Sequence, residues 1–205
     1  ALRSGIPQRV PAYSVQRNCA SGMQAAASAA TQIRAGESEI VLVAGVESMS
    51  GYAFYATKKL KDAFTNIQRA KSFGAKTAAA LSLRPKDFLP VIGLTLGLTD
   101  PVSGLIMGET AEVLVRDFGI TRREQDEFSL QSHRRWTAAN EAGKFRNEIV
   151  PFYAPPKFVA IEEDLGPRKN QTMEALAKLP PYFDKKYGTV TAGNSSPMND
   201  GAAAL

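Results

Sequence analysis

Val15-Gln16-Arg17-Asn18-Cys19-Ala20-Ser21-Gly22-Met23-Gln24 holds the single cysteine and runs directly into Ala25-Ala26-Ala27-Ser28-Ala29-Ala30-Thr31-Gln32-Ile33-Arg34-Ala35-Gly36. Alanine is the strongest helix former and glycine suits a left-handed cap, so the pattern predicts a helix that ends at Gly36. Ile40-Val41-Leu42-Val43-Ala44 follows, a short continuous apolar run with the look of a buried parallel strand. A helix whose faces are nearly all Ala and Ser can be approached closely on every side. The expectation is a helix enclosed by the fold, with Cys19 at its N-terminal end.

That placement has chemical consequences. The positive end of a helix favours a thiolate over a thiol. Its N–H groups can also face the oxyanion that forms when sulfur attacks a carbonyl. The competing reading is a buried structural cysteine, since free cysteine is among the most buried residue types. Position alone leaves both open.

Composition narrows the class. The chain has 205 residues, 44% of them hydrophobic, enough for a substantial core. No run reaches the length of a membrane span, and no charged-then-apolar signal opens the sequence. One cysteine excludes an internal disulfide and fits a reducing compartment. One cysteine and one histidine do not make a zinc site, so no metal is expected. A net charge of +5 suits an anionic cofactor or lipid surface and sets no nucleic-acid signature.

Outward from the cysteine, strand alternating with helix argues an α/β fold with a mainly parallel sheet. Thr57 to Phe73 carries Leu60, Ala63, Phe64, Ile67 and Ala70 as an apolar stripe, with Lys58, Lys59, Lys61, Arg69 and Lys71 around it. Lys76, Arg84 and Lys86 continue the basic bias up to the apolar Phe88-Leu89-Pro90-Val91-Ile92-Gly93-Leu94. Such a segment is either a solvated face over a core stripe or a helix lying on a membrane surface. Gly104 to Phe118 is expected to be helical. Thr121 with Glu124 makes a capping box for the next helix. His133 lies on that helix beside Arg134 and Arg135, which predicts an exposed residue rather than a catalytic base. Ile149 to Tyr153 and Phe158 to Ile161 read as short strands, and Met173 to Leu179 as a helix stopped by Pro180-Pro181. Thr189 to Ala192 reads as a strand returning to the main sheet. Gly201 to Leu205 looks like the start of a buried helix, so the sequence reads as a piece of a longer protein.

Asn18-Cys19-Ala20-Ser21-Gly22, with Ala44-Gly45-Val46-Glu47-Ser48-Met49-Ser50, closely resembles the thiolase family. Gly188-Thr189-Val190-Thr191-Ala192-Gly193-Asn194-Ser195-Ser196, followed by Asn199-Asp200-Gly201-Ala202-Ala203, resembles that family's second signature. Two long motifs in the right order, more than a hundred residues apart, make the match specific. The resemblance implies a layered αβαβα thiolase fold, of which this would be an incomplete N-terminal half. Residues 1–51 and 187–205 would belong to the α/β core. Residues 52–186 would form the loop domain that covers coenzyme A, with the basic amphipathic insert at 57–95. The family's opening strand and helices would precede residue 1.

The same resemblance implies thiolytic cleavage of 3-ketoacyl-CoA in fatty-acid β-oxidation, through an acyl-cysteine intermediate. Cys19 matches the nucleophile, and its backbone N–H would form half of an oxyanion hole. Leu98, Met107, Phe183, Ala192 and Ser196 match coenzyme A contacts, Ser196 to the pantetheine amide. Leu98 and Phe183 are equally ordinary core residues by type. Gly193 and Asn194 suit backbone geometry rather than chemistry. Coenzyme A and acyl-CoA would be substrates, with no separate cofactor. The family's second cysteine, histidine and asparagine lie in Cys-x-Gly, Gly-His-Pro and Asn-Glu-Ala-Phe motifs, none of which occurs in this sequence. These residues alone are therefore not expected to complete turnover. A biosynthetic acetoacetyl-CoA thiolase, a non-catalytic acyl-CoA or lipid-binding relative, and a structural subunit remain as alternatives. The implied partners are a second or further copy of the chain, a hydratase/dehydrogenase subunit, and a membrane surface met by residues 57–95. The implied location is the bacterial cytoplasm or a mitochondrial matrix, with a peripheral membrane position if that contact forms.

Overall fold

The alanine-rich run after Cys19 does form a helix, α1 (Ser21–Arg34), in the computed structural model, which describes residues 1–205. Gly36 stops it at φ +73°, a conformation that suits glycine because a Cβ would be strained there. Gly36 N–H donates to Ile33 O and Glu37 N–H to Gln32 O, the paired bonds of a Schellman motif. The later elements are β1 (Ala44–Ser48), β2 (Phe54–Tyr55), α2 (Lys58–Arg69), α3 (Phe73–Leu81), β3 (Val91–Ile92) and α4 (Gly93–Leu98). They are followed by α5 (Met107–Phe118), α6 (Arg122–Glu141), β4 (Phe152–Ala154), β5 (Val159–Ile161), α7 (Met173–Ala177) and β6 (Asp200–Ala204). Two units divide them: Ala1–Tyr52 with Met198–Leu205, and Ala53–Pro197.

The first unit corrects three expectations. Its sheet is antiparallel, pairing Ala44 with Ala204 through Ser48 with Asp200, not parallel. The strand therefore begins where the apolar run Ile40–Val43 ends, and Gly201–Ala204 is strand rather than helix. Two anchors set this ladder. Val43 and Leu205 exchange N–H···O bonds of 3.0 and 2.9 Å at one end. At the other, Ser50 donates from its N–H and its hydroxyl to the Asp200 carboxylate. Third, α1 is not enclosed within this chain: Ala29 is its one buried residue, and Ile40, Leu42 and Val46 are exposed. Its small side chains permit close packing, but no element of the unit encircles them.

In the second unit all strand pairs are again short and antiparallel, β2 with β3 and β4 with β5. The predicted strand at Thr189–Ala192 is instead an extended segment, held by one bridge between Pro181 and Thr191. Side chains, rather than a ladder, satisfy most of its N–H groups. The helix α6 is the spine. Its capping box forms as the spacing predicts: Thr121 Oγ accepts from Glu124 N–H at 3.2 Å, and Glu124 accepts from Thr121 N–H at 2.7 Å. Along its length Trp136 donates to Asp164, Asn140 donates to Glu163, and His133 Nδ1 accepts from Arg168 N–H. His133 is thus half-buried and pins the 163–168 segment, where the flanking arginines suggested open solvent.

The expected single helix from Thr57 to Phe73 splits into α2 and α3, because Ala70 leaves helical geometry for extended backbone. Of the apolar stripe, Ala63 is buried while Phe64 stays exposed. The buried Asp87 locks this hairpin. Its carboxylate takes Lys59 Nζ at 2.9 Å and Arg84 N–H at 2.7 Å, and its carbonyl takes the Thr57 hydroxyl at 2.7 Å.

The hydrogen bond from Lys59, then that from Arg84 N–H, holds the Asp87 carboxyl below its ordinary range. A carboxyl depressed on folding stabilises fully above its unfolded value of about 4 and ceases to as pH falls through the folded one. Amide exchange of α2 should therefore speed up as pH drops below about 4, after correction for intrinsic rates. Asp87→Asn should exchange faster at neutral pH and lose that pH step; an unchanged step would remove Asp87 as its source.

Candidate active site

Cys19 sits immediately ahead of α1, on a turn locked from both sides. Asn18 takes the left-handed region at φ +47°, which asparagine tolerates better than most residues. Ala20 N–H donates to Arg17 O and Ser21 N–H to Asn18 O, at 3.0 and 3.1 Å. The Ser21 hydroxyl donates to Asn18 O at 2.7 Å and accepts from Arg17 N–H at 2.8 Å. Arg17 then reaches Gln24 Oε1 at 2.9 Å, one turn into the helix. The result is an exposed thiol at a helix N-terminus whose cap residue, Ala20, supplies no side-chain acceptor. Cys19 is thus not the buried cysteine of the competing reading.

The five residues expected at coenzyme A all lie in the second unit. Leu98 ends α4 and Met107 begins α5, and the bridge between Thr99 and Ile106 brings these two ends together. Gly108, next in line, lies under the Phe183 ring, so closely that a Cβ there would overlap it. Phe183 packs edge-on against Tyr182, ring centroids 5.0 Å apart. Met107, Ala192 and Ser196 are exposed.

Ala192 and Ser196 lie on a segment that side chains of α5 and α6 grip along its length. Glu112 of α5 accepts from Thr189 N–H and Val190 N–H at 3.0 and 2.8 Å. From α6, Gln125 donates to the Thr189 hydroxyl at 2.9 Å and Ser129 donates to Gly193 O at 2.6 Å. Asn194 closes the loop on itself, accepting from Thr191 N–H at 2.7 Å and donating to Thr189 O at 3.1 Å. Its amide also donates to Asp126, which is 2% exposed. Asn194 serves backbone geometry, as its place beside Gly193 suggests. Glu112, Gln125, Asp126 and Ser129 belong to no motif legible in the sequence. The available signal was the i, i+4 spacing of Arg122 with Asp126 on one helix face, which is far commoner as surface decoration.

No group of three or more His, Cys, Asp or Glu is placed to hold a metal ion. An open cleft of about 700 Å³ lies elsewhere, between α6 and α7, lined by Glu127, Phe128, Leu130, Gln131, Arg134 and Met173. None of the candidate residues lines it.

Both stretches that resemble thiolase signatures are thus held in fixed local shape, the Cys19 turn ahead of α1 and the Thr191–Ser196 segment under α5 and α6. All of residues 1–205 match the family profile described as "Thiolase, N-terminal domain", and the chain belongs to the thiolase family. A 3-ketoacyl-CoA thiolase of Pectobacterium carotovorum is 39% identical over 204 residues, 100% of this chain and 46% of that protein. Human mitochondrial 3-ketoacyl-CoA thiolase, solved in complex with CoA, superposes with a TM-score of 0.75 at 36% identity, covering 99% of this chain and 46% of its own. The acetyl-CoA acetyltransferase of Bacillus anthracis gives 0.78 at 39% identity, with 99% and 46% covered. The chain therefore spans just under half the length of these relatives. The fold is that of the N-terminal half of a thiolase.

The Gly108–Phe183 contact yields a sign test. Gly108→Ala gains about 0.5–1 kcal/mol of helix propensity but overpacks Phe183, at about 1–3 kcal/mol. Urea unfolding should show a net loss of stability in the parent and a net gain in a Phe183→Ala background. Destabilisation in both would mean that the ring is not the obstacle.

Proposed function

We propose that this chain carries the nucleophile of a degradative 3-ketoacyl-CoA thiolase. The single observation that carries the reading is the exposed Cys19 on its locked turn at the start of α1. The Cys19 thiolate attacks the 3-keto carbon of the substrate, and the oxyanion is met by N–H groups at that turn. Collapse breaks the C2–C3 bond and leaves the shortened acyl group on sulfur. The C2 carbanion of the departing acetyl-CoA takes a proton from an acid outside these residues. Free coenzyme A, as its thiolate, then attacks the Cys19 thioester and regenerates the enzyme. Two acyl transfers replace one difficult carbon–carbon cleavage.

In this reading residues 1–51 and 187–205 form the catalytic core. Residues 52–186 cover coenzyme A, with Leu98, Met107, Phe183, Ala192 and Ser196 along its path. The names of the relatives support the substrate class, coenzyme A and acyl-CoA. The protein works as a homodimer or tetramer, in the cytoplasm of a bacterium or in a mitochondrial matrix, with a hydratase/dehydrogenase subunit as a further partner. Intact mass before and after acetoacetyl-CoA tests the chemistry. The full-length protein should gain one acetyl group at Cys19, and Cys19→Ser should gain none and lose thiolysis. Thiolysis near the parent rate in Cys19→Ser would end the assignment. Faster turnover of long-chain than of four-carbon substrates separates the degradative enzyme from a biosynthetic acetoacetyl-CoA thiolase.

Residues 57–95 meet an anionic lipid surface in the same reading. Exposed Phe64, Phe73, Leu81, Phe88 and Leu89 among basic residues support it. Lys58 and Lys59 already face Asp62 and Asp87, so the attraction falls to Lys61, Arg69, Lys71, Lys76 and Lys86. At about 1 kcal/mol per charge, Lys61→Glu with Lys76→Glu should weaken sedimentation with phosphatidylserine vesicles by tenfold or more. Equal binding would discard the contact.

A further inference from the structure

Asp126 is a buried carboxylate that the proposed chemistry does not use. Its Oδ2 accepts from Arg122 Nε at 2.8 Å, and its Oδ1 accepts from Asn194 Nδ2 at 3.1 Å. Arg122 is anchored in turn, donating from Nη2 to Leu176 O at 2.7 Å and to Leu179 O at 3.0 Å. The order is continuous: carbonyls at the end of α7, then Arg122, Asp126, Asn194, and finally the backbone of Thr189 and Thr191. Asn194 Nδ2 must point at Asp126 for its Oδ1 to accept from Thr191 N–H. The carboxylate, together with Thr189 O, therefore sets the orientation of the amide, and the amide sets the turn that presents Ala192 and Ser196.

A purely structural account does not require this arrangement. A loop that only had to be attached would keep the Glu112, Gln125 and Ser129 bonds without placing a charge where the side chain is 2% exposed. A carboxylate fixed by an arginine accepts and cannot donate, so it permits one amide orientation and excludes the flipped one.

We propose that Asp126, fixed by Arg122, is a positioning residue for coenzyme A. It sets the Thr191–Ser196 turn through Asn194 and touches neither substrate nor Cys19. The inference depends on Ser196 contacting coenzyme A, as in the function proposed above.

In thiolysis by the full-length protein, Asp126→Asn should raise KM for coenzyme A and for acetoacetyl-CoA together, by about tenfold, the scale of one charge-assisted hydrogen bond. kcat should fall less than threefold, and alkylation of Cys19 by iodoacetamide should keep its rate. Ser196→Ala is the control: an unchanged KM there overturns the coenzyme A reading itself. A raised KM in Ser196→Ala with an unchanged KM in Asp126→Asn overturns this proposal alone. So does a fall in kcat or melting temperature without a KM change. If Asp126→Asn does not fold, Arg122→Lys, which keeps a positive charge beside Asp126 but loses the guanidinium bonds to Leu176 O and Leu179 O, decides. KM should rise about threefold, and an unchanged KM in that folded variant counts against the proposal.

Discussion

The gripping of residues 188–196 by polar side chains of α5 and α6 is the constraint on which the second unit depends. A segment with no strand partner along its length must still satisfy its N–H groups, because a buried donor left unpaired costs about 1–3 kcal/mol. Glu112 supplies acceptors for Thr189 and Val190, and Asn194 supplies one for Thr191. Thr191 and Val190 are buried as a result, beside Leu176 and Leu130, the largest apolar groups of that core. The Arg122–Asp126 pair ties α7 into the same knot. Breaking one side of such a buried pair typically costs about 3–5 kcal/mol, so the knot holds geometry as well as attachment.

A different economy governs the turn before α1. Few of its groups are buried, and its shape comes from local bonds between residues three, four and seven apart. Local bonds of this kind hold a residue such as Asn18 at positive φ without tertiary support. The cysteine they present is exposed and directed by its own neighbours. The Cys19 turn of the first unit is thus carried by short-range order, and the Thr189–Ser196 segment of the second by long-range side-chain bonds.

The local features were legible in the residues themselves. The α1 helix and its glycine stop, the Thr121–Glu124 capping box and the place of Cys19 before a helix all arise within a few residues, where propensity and side-chain reach decide. The family was legible for a related reason: Asn18–Gly22 and Gly188–Ser196 combine small residues and glycines whose positions backbone geometry dictates. What could not be read was pairing. The apolar run Ile40–Ala44 specifies a strand-like stretch without saying which residues enter the ladder, and Thr189–Ala192 looks like a strand because Thr and Val prefer extended backbone. Whether extended backbone is completed by another strand or by the carboxylate of Glu112 depends on what folding brings beside it.

The sequence by itself determined the thiolase family, the α/β character, the cysteine at a helix start, and the basic, aromatic-edged insert, because each is written in contiguous residues. Tertiary structure alone decided that Asp200–Ala204 is a strand lying antiparallel to Ala44–Ser48 and that Phe183 covers Gly108. It also decided that Asp126, some sixty-eight residues from Asn194, orients the amide on which the Thr191–Ser196 turn is built. A carboxylate on a helix looks the same in sequence whether it faces water or a buried amide. Only the packing of α6 against the returning chain distinguishes the two.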